Sequence, residues 1–117
     1  MTAEELRRCC LGRPGALEGF PFGEHVSVFK VADKMFALSD LDRLPLEVSL
    51  KCDPDLADAL RKQYSAIRAG YHLNKRHWNT VTLDGSIDDE AIEDMIQDSY
   101  DLALAKLTRA KRENLGR

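Results

Sequence analysis

Residues 71–80 read Tyr-His-Leu-Asn-Lys-Arg-His-Trp-Asn-Thr, a run that sets two permanent cations, two imidazoles and two carboxamides among aromatic rings. It lies within residues 59–83, a 25-residue stretch with five Lys or Arg and no acid, in a chain of formal net charge −3. Such a local excess suits an anion. Lys75 and Arg76 are adjacent donors able to hold phosphates, and Lys62, Arg68 and Lys51 could join them on one face of a compact domain. Neutralising several phosphates releases counterions and gives binding a steep salt dependence. Asn74 and Asn79 can bond phosphates or base edges, asparagine to adenine being a standard major-groove pairing. Tyr71 and Trp78 can stack on an unpaired base or brace the loop. The same residue types have plainer uses, since asparagine side chains cap turns and tryptophan packs into cores.

Catalysis finds less support. His72 and His77 are five apart, which matches neither one face of a helix nor one side of a strand. Gly12, Gly15, Gly19 and Gly23 do not follow a strand and open a helix, as a phosphate cradle requires. Cys9, Cys10 and Cys52 lack the paired spacing of a zinc or redox motif and read as reduced thiols. Cys52 could serve as a thiol nucleophile beside a histidine, but alternation along its strand points it inward. The expectation is therefore a protein that is not an enzyme, with no catalytic residue, no metal site and no cofactor.

Several elements must position the basic run. Thr2 with Glu5 forms a capping-box signal, and a first helix follows until Gly12 and Pro14 end it. Residues 13–23, rich in Gly, Pro and aromatics, read as a loop anchored by buried Phe20 and Phe22. Strands are expected at residues 25–31, 34–39 and 46–52, the first two joined by a hairpin. In the third, Leu46, Val48, Leu50 and Cys52 alternate with Glu47, Ser49 and Lys51, so one face is buried and the other, with Lys51, solvated. Asp53-Pro54 opens a second helix to about residue 63. Residues 65–75 have no clear period, and residues 78–83 return to a strand. A long helix over residues 88–111 carries Ile92, Met95, Ile96, Ser99, Ala103 and Leu107 on one face. Residues 84–101 hold eight acids and no Lys or Arg, whereas residues 106–117 hold five basic residues and one acid. Acids early and bases late complement the helix dipole, which does not account for Asp98 and Asp101.

With 117 residues, 44% hydrophobic and 32% charged, the chain fits one globular domain over residues 1–117. No segment approaches the ~20 continuous apolar residues of a membrane span. A monomer in the cytoplasm is expected. The pattern as a whole is α+β: an antiparallel β-sheet packed on one face by helices.

Six blocks in order, Pro21-Phe22-Gly23, Val28-Phe29-Lys30-Val31, Lys34-Met35-Phe36-Ala37, Leu50-Lys51-Cys52-Asp53-Pro54, residues 71–79, and Asp98-Ser99-Tyr100-Asp101-Leu102, resemble the MmcQ/YjbR family of small bacterial proteins. The resemblance implies a CyaY-like (frataxin-like) two-layer sandwich and a DNA-binding role described for the family as a double wing. By position it implies His72, Asn74, Lys75, His77, Trp78 and Asn79 as motif residues, with Arg76 at a usually basic place, Lys30 and Lys51 on strands, and Ser99 and Tyr100 on the last helix. It also raises weak cation binding by Asp88, Asp89, Glu93 and Asp94, beside the plain reading of a solvated helix face.

The functional expectation is a DNA-binding domain of modest affinity. Lys75 and Arg76 would contact phosphates, Asn74 and Asn79 would shape or read the groove, and Trp78 would position the hairpin. The alternative is a protein-interaction adaptor that uses the basic loop or the acidic helix. The acids oppose a polyanion unless the fold turns them away.

Overall fold

A computed structural model describes residues 1–70 and 73–106. In chain order these form α1 (Ala3–Leu11), β1 (Ala16–Gly19), β2 (Ser27–Val31), β3 (Lys34–Ser39), β4 (Glu47–Lys51), α2 (Pro54–Gln63), β5 (Ile67–Ala69), β6 (Trp78–Thr82) and α3 (Asp89–Leu104). The strands make one antiparallel sheet in the order β1-β2-β3-β4-β6-β5.

Local signals act as their chemistry dictates. The Thr2 hydroxyl accepts from the Glu5 N–H at 3.1 Å and the Glu5 carboxylate accepts from the Thr2 N–H at 3.2 Å, so the capping box closes α1. Asp53 accepts from the Asp55 N–H at 3.1 Å and Pro54 occupies the first turn of α2. Ala32 and Asp33 join β2 to β3 with φ of 45° and 68°, the left-handed pair that matches a two-residue hairpin to the twist of its strands.

Two adjacent rows across the strands show how the sheet divides. Phe29, Ala37, Leu50, Asn79 and Ala69 stand side by side, and so do Val28, Leu38, Ser49, Thr80 and Arg68. Helices cover the first row. Leu6 and Cys10 of α1 and Ile92, Ile96, Tyr100 and Ala103 of α3 share one core with Phe29, Ala37, Val48 and Leu50. The molecule is thus an α+β sandwich of one sheet and one helical layer. Where β3 and β4 diverge, the buried Ser99 hydroxyl donates to the Phe36 C=O and accepts from the Lys51 N–H at 2.9 Å, replacing a rung of the ladder. Tyr100 packs edge-on to Phe36 at 5.4 Å and its hydroxyl donates to the Pro14 C=O. Both residues therefore lock α3 to its surroundings and do not belong to a ligand surface.

Three expectations are corrected. Residues 13–23 contain β1, and Phe20 and Phe22 are 52% and 64% exposed instead of buried. Both rings lie past the end of β1, in the turn that leads to β2, beyond the part of the sheet that α1 packs against. The residues without period hold β5, three residues on the opposite edge. The face opposite the helices is not simply solvated, because Ser49 and Thr80 are buried there. The expected run of the last helix beyond residue 106, with Leu107 and the basic tail, lies outside the described residues. No described helix is long and apolar enough to cross a membrane.

Candidate nucleic-acid interface

The basic run leads into β6, and the fold consumes its stem. Trp78 is 8% exposed. The Gly70 N–H donates to the Trp78 C=O at 2.8 Å, and a Cβ on Gly70 would stand 2.8 Å from that of Trp78, so only glycine allows the approach. The fold encloses most of Trp78, leaving only the part that lines the cavity described below. Asn79 is 3% exposed, its Nδ2 donating to the Ala57 C=O at 3.3 Å and its Oδ1 accepting from Arg61 at 3.0 Å. A base edge could reach that carboxamide only by displacing α2 from the sheet, which removes Asn79 from groove reading. Arg61 also donates to the Lys75 C=O at 2.9 Å, so this cation ties α2 to the loop. Sequence reasoning counted it only as charge.

The tip is different. Asn74 Oδ1 accepts from the Arg76 N–H at 3.0 Å, and its C=O accepts from the N–H groups of His77 and Trp78 at 3.1 and 2.9 Å. Its side chain closes the turn, the plainer of the two uses open to it. Lys75 and Arg76 are left exposed at the apex. His77 is half-buried and its C=O accepts from the Cys52 N–H at 2.7 Å. His72, with Tyr71, lies outside the described residues.

The remaining cations do not gather as expected. Lys62 pairs with Asp58 at 2.9 Å along α2. Arg68 pairs with Glu47 at 2.5 Å on the helix-free face and, by that bond, holds the Glu47 carboxyl below its ordinary range. Lys30 stands two strands away from Lys51 in the sheet order, half-buried on β2. Lys51 does reach the loop: with Asn74, His77, Trp78 and Lys106 it lines a cavity of about 500 Å³. It is half-buried, not fully turned to solvent. Burial, then Lys106, then Lys34 push its ammonium down from 10.5 to about 8. Asp53, the carboxylate in that lining, is engaged in capping α2. Lys34 and Lys106 were invisible as site residues in the sequence, because a hairpin turn and a helix end bring them to Lys51.

The fold also decides where the acids go. β6 runs away from the loop, and residues 84–94 follow at its far end. α3 then returns over about 24 Å, at 1.5 Å per residue for its 16 residues, and delivers Lys106 to Lys51. The first acids of α3 thus stand at the end away from Lys51, while Asp98 lies beside Cys52 and shares a cleft with Lys51. Asp98 is pushed up by burial first, then by Asp101 and Asp94. Among the described residues no group of three or more His, Cys, Asp or Glu is placed to hold a metal, and Asp89 instead pairs with the Met1 amino group at 3.0 Å. Burial pushes the thiols of Cys9 and Cys52 up and that of Cys10 up to about 12, away from thiolate chemistry.

Comparison with known proteins fits this architecture. The YjbR family profile matches residues 11–102. The uncharacterized protein YjbR of Escherichia coli K12 is 40% identical over 116 residues, 98% of either chain. The uncharacterized protein YbdF of Escherichia coli O157:H7 is 36% identical over 111 residues, 94% of this chain and 88% of its own. A Deinococcus radiodurans crystal structure of a DUF419 domain superposes with a TM-score of 0.92 at 43% identity, covering 98% of this chain and 88% of that one. A Pseudomonas syringae crystal structure gives 0.76 at 27% identity, covering 88% and 99%. With the profile spanning most of the chain and relatives aligned nearly end to end, this chain belongs to the YjbR family.

Proposed function

We propose that the protein binds DNA with modest affinity through its phosphate backbone, using Lys75 and Arg76 at the loop apex with Lys51, Lys34 and Lys106 beside them. The observation that supports this most is geometric: Lys51 and Lys106 line one cavity with Asn74 and His77 of the loop, beneath the exposed Lys75 and Arg76, and burial first, then repulsion from Lys106 and Lys34, push the Lys51 ammonium down. An arriving polyanion relieves that repulsion, and the acids of α3 begin at the far end of the molecule, where they oppose it least. Burial of Asn79 and Trp78 removes the side chains best suited to base readout, so sequence preference is weak.

Titration of labelled duplex DNA at two salt concentrations tests the reading. Three to five phosphate contacts correspond to a log K against log salt slope of roughly −3 to −5. Absence of binding at low salt, or binding that survives Lys75→Glu with Arg76→Glu, would falsify it. Partners retained by this end after nuclease treatment would instead favour an acidic protein as its ligand.

A further inference from the structure

The helix-free face of the sheet carries a second cavity, of about 350 Å³, built from residues the basic end does not use. Its floor is the sheet row Leu38, Ser49 and Thr80, its rim includes Phe22 and Leu73, and Glu47 lines it together with Arg43 and Arg68. That volume lies within the range of small-molecule sites, and apolar walls with a few polar groups are their usual composition.

Three features narrow the ligand. First, the Ser49 and Thr80 hydroxyls bond each other at 2.9 Å, and among the described residues neither has another partner. Two O–H groups sharing one bond leave one proton unused, in a place where both residues are at least nine-tenths buried. Second, Phe22 is 64% exposed yet held in a defined turn. Gly23, at φ 121°, takes a conformation strained for any side chain, its N–H donating to the Phe20 C=O at 3.3 Å and its C=O accepting from the Val26 N–H at 3.2 Å. Third, the charges of the lining cancel. Arg68 and, at 3.9 Å, Arg43 face Glu47, while Asp40 accepts from the Asp42 N–H at 3.1 Å, giving two cations and two carboxylates. A charged ligand would lose hydration there and meet a lining of no net charge, with only Asp40 outside the Glu47 ion pairs.

We propose that this cleft binds a small, flat, uncharged ring compound bearing a hydrogen-bond acceptor, packed against Phe22 and Leu73 and bonded to the Ser49–Thr80 hydroxyl pair. The ring buries the apolar lining, the acceptor takes the unused proton, and a planar body fits between the exposed Phe22 ring and the sheet row beneath. This site stands independently of the DNA reading, since it shares no residue with the lysine cluster.

Three probes with one ring system separate the classes: indole-3-acetamide, indole-3-acetate and tryptamine, each titrated into the ¹⁵N-labelled protein. The amide is expected to shift Leu38, Ser49, Leu73 and Thr80 saturably, and the two charged probes to bind at least roughly tenfold more weakly, about 1.4 kcal/mol. Ser49→Ala combined with Thr80→Val, which removes both protons of the pair, weakens the amide severalfold and leaves duplex DNA titration unchanged; should this variant lose its native spectrum, the contrast among the three probes decides. No saturable shift at these residues up to about millimolar amide overturns the proposal. So does a charged probe that binds as well as the amide, or amide binding equal to wild type in a folded hydroxyl variant.

Discussion

At the apex of the loop, Lys75 and Arg76 are exposed, and the Asn74 carboxamide closes the turn that presents them. At its stem, one histidine further on, Trp78 and Asn79 are 8% and 3% exposed, and the Asn79 carboxamide is held by Ala57 and Arg61. In sequence these are one run of binding-type residues; in the fold they are an exposed apex and the foundation beneath it. The difference teaches that residue type marks what a side chain can do, while burial decides whether anything outside can reach it. Each half should therefore fail in its own way when altered.

The largest effect is expected at the stem. Trp78→Ala should lower stability by about 3–5 kcal/mol through the lost packing and the cavity left behind, seen as a fall in the urea midpoint. Asn79→Ala follows at about 1–2 kcal/mol, since it removes the two bonds by which the buried carboxamide holds Arg61 and the Ala57 carbonyl of α2 to the sheet. Neither change should much alter the DNA affinity of the folded fraction; a selective loss of binding in a fully folded Asn79→Ala variant would return that carboxamide to the interface.

At the apex the pattern reverses. Lys75→Glu with Arg76→Glu should leave stability within about 0.5 kcal/mol while weakening duplex binding and reducing the salt slope by about 2. A drop in stability as large as that of the stem variants would erase the distinction between the two halves.

The smallest and most specific effect concerns Lys51. Its folded value of about 8 lies below the ordinary 10.5, so between these values the unfolded chain binds the extra proton and stability rises with pH. Binding a polyanion favours the charged ammonium, so affinity should fall as pH is raised through about 8. Fluorescence anisotropy at constant ionic strength reads this directly. Lys51→Arg should flatten the profile, because a guanidinium stays protonated throughout.

The regular elements were legible where local chemistry is explicit. Thr2 with Glu5, Asp53-Pro54 and the alternation over residues 46–52 each act within a few residues, and α1, α2 and β4 follow from them. β1 and β5 were not legible, being edge strands of four and three residues whose pairing depends on a neighbour formed elsewhere. The exposure of Phe20 and Phe22 was hidden as well: an apolar ring reads as core until the fold shows it standing on a turn beyond its strand. At the site, Lys75, Arg76 and Lys51 were legible as charge. Arg61 as a tie, and Lys34 and Lys106 as neighbours of Lys51, were not.

By itself the sequence determined the family, the α+β pattern and the separation of acids from bases along the chain, because each is carried by residue identity and short spacing. Only the tertiary structure decided which cations share a space. α3 lies across the sheet and runs back toward the loop, setting Lys106 beside Lys51 and starting its acids at the other end. That direction is set by burying Ile92, Ile96, Tyr100 and Ala103 against β3 and β4, a requirement of the whole apolar face that no local stretch of sequence expresses.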